Sequence, residues 1–263
     1  MRPSATSCSS ASTTGRTRRT ATRTSASPIP SSFSRRSSSG SEPTSAPATR
    51  RLRTGWPRQR RRCAQVSLRR RSRTATDQPI HPGVLMESMN TVLGDEAVVA
   101  SDVGNCQMWA RSWRRIATPE SFMQSGVWNA MSYALPTAMV AKMEFPQRDV
   151  VALAGDGAFL MTIGDLPTAT EYGANVLCVV MNNNCFGQTT MQQQTIYGHV
   201  YGTLFQSPDF ADMARACGAE GIRVSDPKHI EEALRQGLAA TKRSPALVEV
   251  MVQDHPYPKL SMG

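Results

Sequence analysis

The sequence predicts a doubly wound α/β domain, in which a parallel, Rossmann-like sheet has helices on both faces. From Pro79 onward, short apolar runs alternate with segments of helical periodicity. The runs are apolar throughout, as in strands that are buried on both faces. Several runs end in Gly, Asp or Asn, which favour turns. In such sheets, ligands bind at the carboxyl ends of the strands.

The first half of the domain is predicted to contain two helices and two strands. Apolar residues at 84, 85, 89, 92 and 93 lie on one helical face and predict a helix over Pro82–Leu93. Ala97–Ser101 (AVVAS) predicts a strand that ends in a tight turn. Asn129–Met143 predicts a helix, in which Pro136 marks a kink or a later start. Asp149–Ala154 (DVVALA) predicts a buried strand that ends in Gly-Asp-Gly.

The second half continues the same alternation. Thr162–Asp165 resembles a capping box and predicts a helix that stops at Gly173. Asn175–Met181 (NVLCVVM) predicts the next buried strand, which ends in three Asn residues. The remaining predicted elements, two helices and two strands, are Phe210–Cys217, Gly221–Val224, Pro227–Thr241 and Ala246–Val252.

Charge divides the chain into two unlike parts, residues 1–76 and 77–263. Residues 1–76 contain 18 Arg, no Lys and one acidic residue, Glu42, which gives a net charge of +17. The other residues hold the remaining 12 basic and 19 acidic side chains, a net charge of −7. Residues 1–76 have too few large apolar side chains to offset the ~1–2 kcal/mol per residue that backbone ordering costs. We therefore expect a disordered basic segment followed by one globular domain.

Four interpretations of residues 1–76 remain open. Its Arg clusters could neutralise nucleic-acid phosphates, although the absence of Lys argues against an evolved nucleic-acid arm. Its Arg- and Ser-rich, acid-poor composition is also typical of an organellar transit peptide. It could be a plain solvated tail, or the translation of GC-rich coding DNA in a wrong frame. We expect a cytoplasmic location, or an organellar one if the segment is a transit peptide.

Composition also argues against three classes of protein. No apolar run reaches the ~18–20 residues that span a bilayer, so no membrane partner is expected. The six Cys are scattered without a CxxC pair, which argues against a zinc site or a disulfide framework. None of the four His lies at a spacing from a Ser or Asp that is typical of a catalytic motif. No catalytic residue is therefore predicted within the domain.

Asp156 and Asn183 carry the chemistry that the sequence predicts. They follow consecutive buried strands, 27 residues apart, which is the length of one right-handed βαβ crossover. Gly155 and Gly157 allow a sharp turn and close approach of a ligand. A lone Gly-Asp-Gly would indicate only a turn, but the Asn pair after the next strand favours a site. A carboxylate, an amide oxygen and a nearby backbone carbonyl suit Mg²⁺ and leave positions for a diphosphate and a water.

Gly-Asp-Gly followed by Asn-Asn at this spacing resembles the cofactor signature of the thiamine diphosphate (thiamine pyrophosphate, TPP) enzymes. Residues 101–109 (SDVGNCQMW) and 125–136 (SGVWNAMSYALP) resemble two further segments of that family. The resemblance covers about residues 79–255. It is closest to the C-terminal, diphosphate-binding domain of acetolactate synthase large subunits, which serve branched-chain amino acid biosynthesis. Full-length members carry two more domains ahead of this one, so the resemblance implies a truncated form.

The resemblance implies a role for individual residues. Asp156, Asn183 and the main-chain oxygen of Cys185 would hold Mg²⁺. Met131 would lie under the link between the two cofactor rings and force the cofactor into its bent shape. The other residues implied to contact the cofactor are Asn105, Cys106, Asn129, Gly155, Gly157, Ala158, Gly187 and Gln188.

The implied function is a thiamine diphosphate-dependent transferase or lyase that forms or cleaves C–C bonds next to a 2-keto group. A decarboxylase of the benzoylformate or indolepyruvate type is the alternative within the family. A non-catalytic Mg²⁺–diphosphate-binding module with a basic nucleic-acid arm is the alternative from another class. Ylid formation in the family needs a Glu from a neighbouring subunit. The expected partners are therefore a 2-keto acid and either a second copy or a chain that supplies the pyrimidine-binding domain.

The chain departs from the family pattern at several positions. Asn105 and Cys106 stand where the family has Gln-His, and Asn129, Ser132 and Ala134 stand where it has Gly. Residues 188–194 form a polar run in place of the aromatic and Met side chains of the acetolactate synthase substrate channel. Residues 109–113 and 128–133 are expected to expose apolar surface to a partner. The departures affect the substrate assignment more than cofactor binding.

Overall fold

The fold was analysed in a computed structural model, which describes residues 78–254 and 256. These residues form a six-stranded parallel sheet with the strand order β2-β1-β3-β4-β6-β5. The strands are β1 Val98–Ser101, β2 Phe122–Gln124, β3 Val150–Gly155, β4 Leu177–Asn182, β5 Glu220–Val224 and β6 Ala246–Met251. The predicted α/β fold is confirmed, whereas the predictions for residues 1–76 lie outside the described residues.

Helices connect the strands and cover both faces of the sheet. The α-helices are α1 Pro82–Val92, α2 Asn105–Trp113, α3 Ala134–Glu144, α4 Asp156–Leu160, α5 Leu166–Glu171, α6 Gly187–Tyr197, α7 Phe210–Ala216 and α8 Ile230–Ala240. Short 3₁₀ turns at Pro119–Ser121, Ile163–Asp165 and Pro227–His229 precede β2, α5 and α8. None of the helices within the described residues has the length and apolarity that crossing a membrane requires.

Alternate residues of the central strands supply two separate cores. On one face, Val151, Leu153 and Val179 pack with the helices α1, α2 and α8. On the other, Ala152 and Val180 pack with α3, α5 and α7. Burial on both faces explains why these strands read as continuous apolar runs instead of alternating patterns.

The strand order reverses between β1 and β3, because the chain leaves β1 for β2 on one side and returns to β3 on the other. The two strands pair in register from Val98 opposite Val150 to Ser101 opposite Leu153. At such a reversal the loops that follow the two strands diverge and leave a crevice at the carboxyl edge. This crevice is where the loops after β1, β3 and β4 meet.

The predicted helix Asn129–Met143 begins five residues later, at Ala134. Asn129 and Ser132 adopt φ values of 47° and 73°, which a right-handed helix excludes. Of the two possibilities at Pro136, a kink or a later start, the later start is therefore observed.

The capping box predicted at Thr162–Asp165 is wrong. The Thr162 side chain caps no helix and its hydroxyl donates to the carbonyl of Phe159, within a 3₁₀ turn. The helix after it does end as predicted, before Gly173 at a φ of 65°. The elements that the sequence patterns did not predict are α2, α4, α6 and β2.

Candidate functional site

A cavity of about 150 Å³ opens at the carboxyl edge of the sheet, where the loops after β1, β3 and β4 meet. Eleven of the twelve residues predicted to contact a cofactor line it: Asn105, Cys106, Met131, Gly155, Asp156, Gly157, Ala158, Asn183, Cys185, Gly187 and Gln188. The exception is Asn129, which is exposed and accepts a hydrogen bond from Gln107 Nε2 at 3.3 Å. The topology therefore brings together residues that lie up to 83 positions apart in the chain.

Asp156 is the buried carboxylate of this cavity, with only 1% of its surface exposed. Its Oδ2 accepts hydrogen bonds from the backbone N–H groups of Asn183 (3.2 Å) and Asn184 (2.7 Å) and from Ser207 Oγ (3.0 Å). Within the described residues, its Oδ1 accepts one hydrogen bond, from the N–H of Gly157 at 2.8 Å. Burial raises the pKa of this carboxyl above 3.8, and the hydrogen bonds from Gly157, Ser207, Asn184 and Asn183 oppose the rise.

The turn after β4 is fixed from inside the sheet by a buried polar pair. Asn182 Nδ2 donates to Glu249 Oε1 of β6 at 2.7 Å, and both residues are buried. The Asn182 Oδ1 then accepts from the N–H of Asn184, at 3.2 Å. Asn184 adopts a φ of 57°, a value that Asn tolerates better than most residues. These contacts place Asn183 on the cavity wall beside Asp156.

Two glycines let backbone and side chains approach closely at the cavity. A Cβ at Gly157 would lie 2.4 Å from the Phe186 ring, which no real contact allows. A Cβ at Gly187 would lie 2.7 Å from Asn105 Nδ2 and 3.0 Å from Asn183 Nδ2. The amides after β1 and β4 therefore converge on Gly187, and the site needs glycine at both positions.

Asn105 begins helix α2 and replaces the Gln that the family resemblance leads one to expect. Its Oδ1 is buried and has no hydrogen-bond partner in the part of the chain that the structure describes. Because an unsatisfied buried polar atom is costly, this amide is available to a ligand in the cavity. The polar side chains of the cavity wall thus include the Asp156 carboxylate, four amides and the Thr189 hydroxyl; the amides are those of Asn105, Asn183, Gln188 and Gln253.

The two thiols of the cavity are protonated at neutral pH. Burial raises the pKa of Cys106 and of Cys185 to about 12, and nearby Asp carboxylates add to both shifts. The Cys106 Sγ lies 3.3 Å from the carbonyl oxygen of Asp102 and donates to it. Neither side chain is a nucleophile in this state, because the thiolate is the reactive form. The role predicted for Cys185 uses its main-chain oxygen and not this thiol.

Several residues of the site carry no signal that sequence reasoning could use. Ser207 hydrogen-bonds Asp156 from 51 positions away and lies in a loop with no motif. Asp254 Oδ1 lies 3.4 Å from Asn183 Nδ2, beyond the last strand.

The two segments expected to expose apolar surface, residues 109–113 and 128–133, differ in the exposure of their tryptophans. Trp109 was expected to face a partner, but it is 2% exposed and packs edge-on against His81 and Trp113, with ring centroids 5.2 and 5.5 Å apart. His81 is also buried, and its Nδ1 accepts from the N–H of Gly83 at the start of α1. Trp128 is 88% exposed, as expected of that segment.

Comparison with known proteins agrees with this geometry. The family model described as thiamine pyrophosphate enzyme, C-terminal TPP binding domain, matches residues 102–250. The chain is 33% identical over 191 residues to the acetolactate synthase isozyme 3 large subunit of Escherichia coli, which covers 71% of this chain and 33% of that protein. It is 36% identical over 187 residues to the mitochondrial acetolactate synthase catalytic subunit of Aspergillus candidus, 70% of this chain and 26% of that one.

A thiamine pyrophosphate-containing protein of Bacillus subtilis is 31% identical over 183 residues, 70% of this chain and 32% of its own length. The chain thus spans a quarter to a third of the curated relatives it matches. The matched region contains the strands β2 to β5, most of β6 and every predicted cavity residue. The chain belongs to the thiamine pyrophosphate enzymes, and residues 102–250 are its C-terminal TPP-binding domain.

Proposed function

We propose that the cavity binds Mg²⁺ together with thiamine diphosphate, and that the chain acts on 2-keto acids as the cofactor-binding part of an acetolactate synthase-like enzyme, a transferase or lyase. The observation that carries the proposal is the buried Asp156 carboxylate beside Asn183 at the carboxyl edge of the sheet. The similarity to acetolactate synthases favours this reaction class over a decarboxylase.

The oxygens around Asp156 fit a small, hard cation. Three donors already occupy Oδ2, whereas Oδ1 accepts one hydrogen bond and keeps a lone pair. Asp156 Oδ1, the amide oxygen of Asn183 and the main-chain oxygen of Cys185 would hold Mg²⁺. Mg²⁺ prefers about six oxygens, so diphosphate oxygens and a water would complete its shell.

Other cavity residues would bind and orient the cofactor. Asn105 lines the cavity, and its Nδ2 would donate to a diphosphate oxygen. Met131 would lie under the cofactor and fix its bent shape, since it lines the cavity. Thiamine diphosphate supplies carbanion stabilisation next to the 2-keto carbon when it is bound.

Within the described residues, the cavity lining holds no second acid for proton transfer, and Asp254 beside it accepts a hydrogen bond from Asn183 Nδ2. Asp156 is the one acidic side chain in its lining within the described residues, and the proposal commits it to the metal. We therefore propose that a Glu from another polypeptide, a second copy or a chain with a pyrimidine-binding domain, completes the site. The chain alone is then expected to bind the cofactor without turning over.

Calorimetry of thiamine diphosphate binding, with and without Mg²⁺, tests cofactor binding. Asp156→Ala removes the only charged metal ligand, so the affinity should fall at least tenfold, about 1.4 kcal/mol. Asp226→Asn is the matched control, because Asp226 caps a helix turn through the N–H of Lys228 and lies outside the cavity lining. Unchanged affinity in Asp156→Ala would remove Asp156 from the metal site.

Product analysis tests the reaction class. With a pyrimidine-binding partner domain added, the proposal predicts acetolactate from pyruvate and no benzaldehyde from benzoylformate. The opposite pattern would favour the decarboxylase. Decarboxylation of pyruvate at about 1 s⁻¹ or faster by this chain alone would contradict the missing proton-transfer group.

A further inference from the structure

Asp102 is a second buried carboxylate, directly after β1, which the functional proposal leaves without a role. It is 0% exposed. Its Oδ1 accepts from the N–H of Val103 at 2.8 Å, and its Oδ2 accepts from the N–H of Ala134 at 3.1 Å. Burial raises the pKa of this carboxyl, and backbone N–H groups, those of Tyr133 and Ser132 among them, oppose the rise. Because a buried charge is costly unless hydrogen-bonded, a carboxylate here needs the backbone donors of residues 132–134.

Residues 129–133 contain two positions with a positive φ, of which Asn129 is tolerated and Ser132 is strained. Asn129 has a φ of 47° and Ser132 a φ of 73°, in the left-handed region that suits glycine. No regular helix or strand includes these residues, and Val127 and Trp128 just before them are almost fully exposed. Hydrogen bonds hold the segment: the Ala130 N–H donates to Ser125 Oγ at 3.1 Å, Asn129 Oδ1 accepts from Gln107, and Asp102 accepts at its C-terminal end.

The same segment carries Met131 to the cavity. Met131 lines the cavity together with Cys106, whose thiol donates to the main-chain carbonyl of Asp102 at 3.3 Å. Asp102 is thus joined through its side chain to the end of the Met131 segment and through its backbone to helix α2. The contact with Ala134 spans 32 positions of the chain and connects β1 to the start of α3.

We propose that Asp102 is a positioning residue of the site: its carboxylate holds residues 129–134 so that Met131 stays on the cavity wall. The segment would otherwise populate conformations in which Met131 is withdrawn. Apparent affinity falls in proportion to the competent fraction, so loosening the segment weakens cofactor binding without removing a ligand. The effect on cofactor binding rests on the proposed function, whereas the ordering of residues 129–134 by Asp102 does not.

The test compares Asp102→Asn with the parent full-length chain and with Asp226→Asn. Asn keeps the size of Asp, but it replaces one acceptor oxygen by a donor that faces a backbone N–H. Hydrogen exchange monitored by mass spectrometry should accelerate at least tenfold in peptides over residues 129–134 of Asp102→Asn. Peptides from β4 and β6 should stay protected, and Asp226→Asn should leave residues 129–134 unchanged.

Cofactor affinity is the second readout, measured with Mg²⁺ present. Asp102→Asn should bind at least tenfold more weakly. Ser132→Gly relieves the left-handed strain, so it should restore at least threefold in the Asp102→Asn background and add nothing to the parent protein. Ser132→Val, which disfavours a positive φ further, should loosen the segment and weaken binding with Asp102 intact.

The result that overturns the proposal is unchanged exchange over residues 129–134 in Asp102→Asn. Uniform acceleration across the whole sheet also overturns it, because that pattern marks a role in global stability alone. If Asp102→Asn does not fold, Ser132→Val decides: undiminished cofactor affinity despite a loosened segment would refute the dependence on Met131. If the parent chain binds no thiamine diphosphate, the functional proposal fails, and the exchange data alone decide the role of Asp102.

Discussion

Gly187→Ala separates the stability of the domain from the geometry of its site. Gly187 is the first residue of helix α6, and an added Cβ would lie 2.7 Å from Asn105 Nδ2, 3.0 Å from Asn183 Nδ2 and 3.2 Å from Asp254 Oδ1. Ordinary contact begins at 3.4 Å, so the two amides must retreat by 0.7 and 0.4 Å. Both are far ends of flexible side chains, which can move without disturbing the fold.

The free energy of unfolding should therefore change little in Gly187→Ala. Replacing Gly by Ala in a helix gains up to about 1 kcal/mol, which offsets the displacement of two side chains. Affinity should fall at least tenfold, about 1.4 kcal/mol, because Asn183 is a proposed metal ligand and Asn105 a proposed diphosphate contact. Displacements below 1 Å in binding residues are known to have large functional effects.

Calorimetry of Mg²⁺–thiamine diphosphate binding and denaturant unfolding measure the two quantities. Gly164→Ala is the matched control, since a Cβ there meets nothing within 4 Å. It should change neither affinity nor fold. Parent-like affinity in Gly187→Ala would refute the convergence of the two amides on the bound cofactor. A loss of more than about 3 kcal/mol of stability, typical of overpacking, would refute the argument from flexible side-chain ends.

Three further predictions follow from the described residues. Burial raises the pKa of Asp156 above 3.8, and metal binding needs the ionised carboxylate. On acidification, Mn²⁺ affinity, measured by electron paramagnetic resonance, should therefore begin to fall at a higher pH than for an exposed Asp. Loss only near pH 4 would contradict this. Peptide-resolved iodoacetamide labelling at pH 8 should modify partly exposed Cys217 well before Cys106, whose pKa is about 12; equal rates would contradict the burial of Cys106. Gly221→Ala should destabilise the fold by roughly 1–3 kcal/mol, because its Cβ would lie 2.0 Å from the carbonyl oxygen of Ala211; an unchanged denaturation midpoint would contradict that contact.

The sequence predicted the central strands and the core of the site for a shared physical reason. Strands buried on both faces are continuously apolar, so β3 and β4 stand out between their turn residues. The rules of parallel sheets then bring Asp156 and Asn183 to one edge. Neither step needs knowledge of side-chain packing, and the observed hydrogen bond between the Asn183 N–H and Asp156 agrees with both.

The features that were not predicted depend on tertiary contacts. Helix α6 is largely exposed and polar, so it lacks the apolar periodicity that marks a helix. Strand β2 has three residues and is recognised only through its pairing with β1. Ser207 reaches Asp156 because the loop after α6 returns to the turn after β4, where the Phe205 N–H donates to the Asn184 carbonyl, and no local pattern encodes this contact. Helix α3 starts late because Asn129 and Ser132 have positive φ values. Glycine at these positions would have indicated such values in the sequence, whereas Asn and Ser do not.

The most direct test of the central claim is a crystal structure of the full chain grown with thiamine diphosphate and Mn²⁺ in place of Mg²⁺. The account predicts an anomalous peak within about 2.5 Å of Asp156 Oδ1, the Asn183 amide oxygen and the Cys185 carbonyl oxygen, with diphosphate oxygens completing the shell. It also predicts Met131 against the cofactor and the Asn105 amide against the diphosphate. A metal peak away from Asp156, or a diphosphate outside this cavity, would contradict the account.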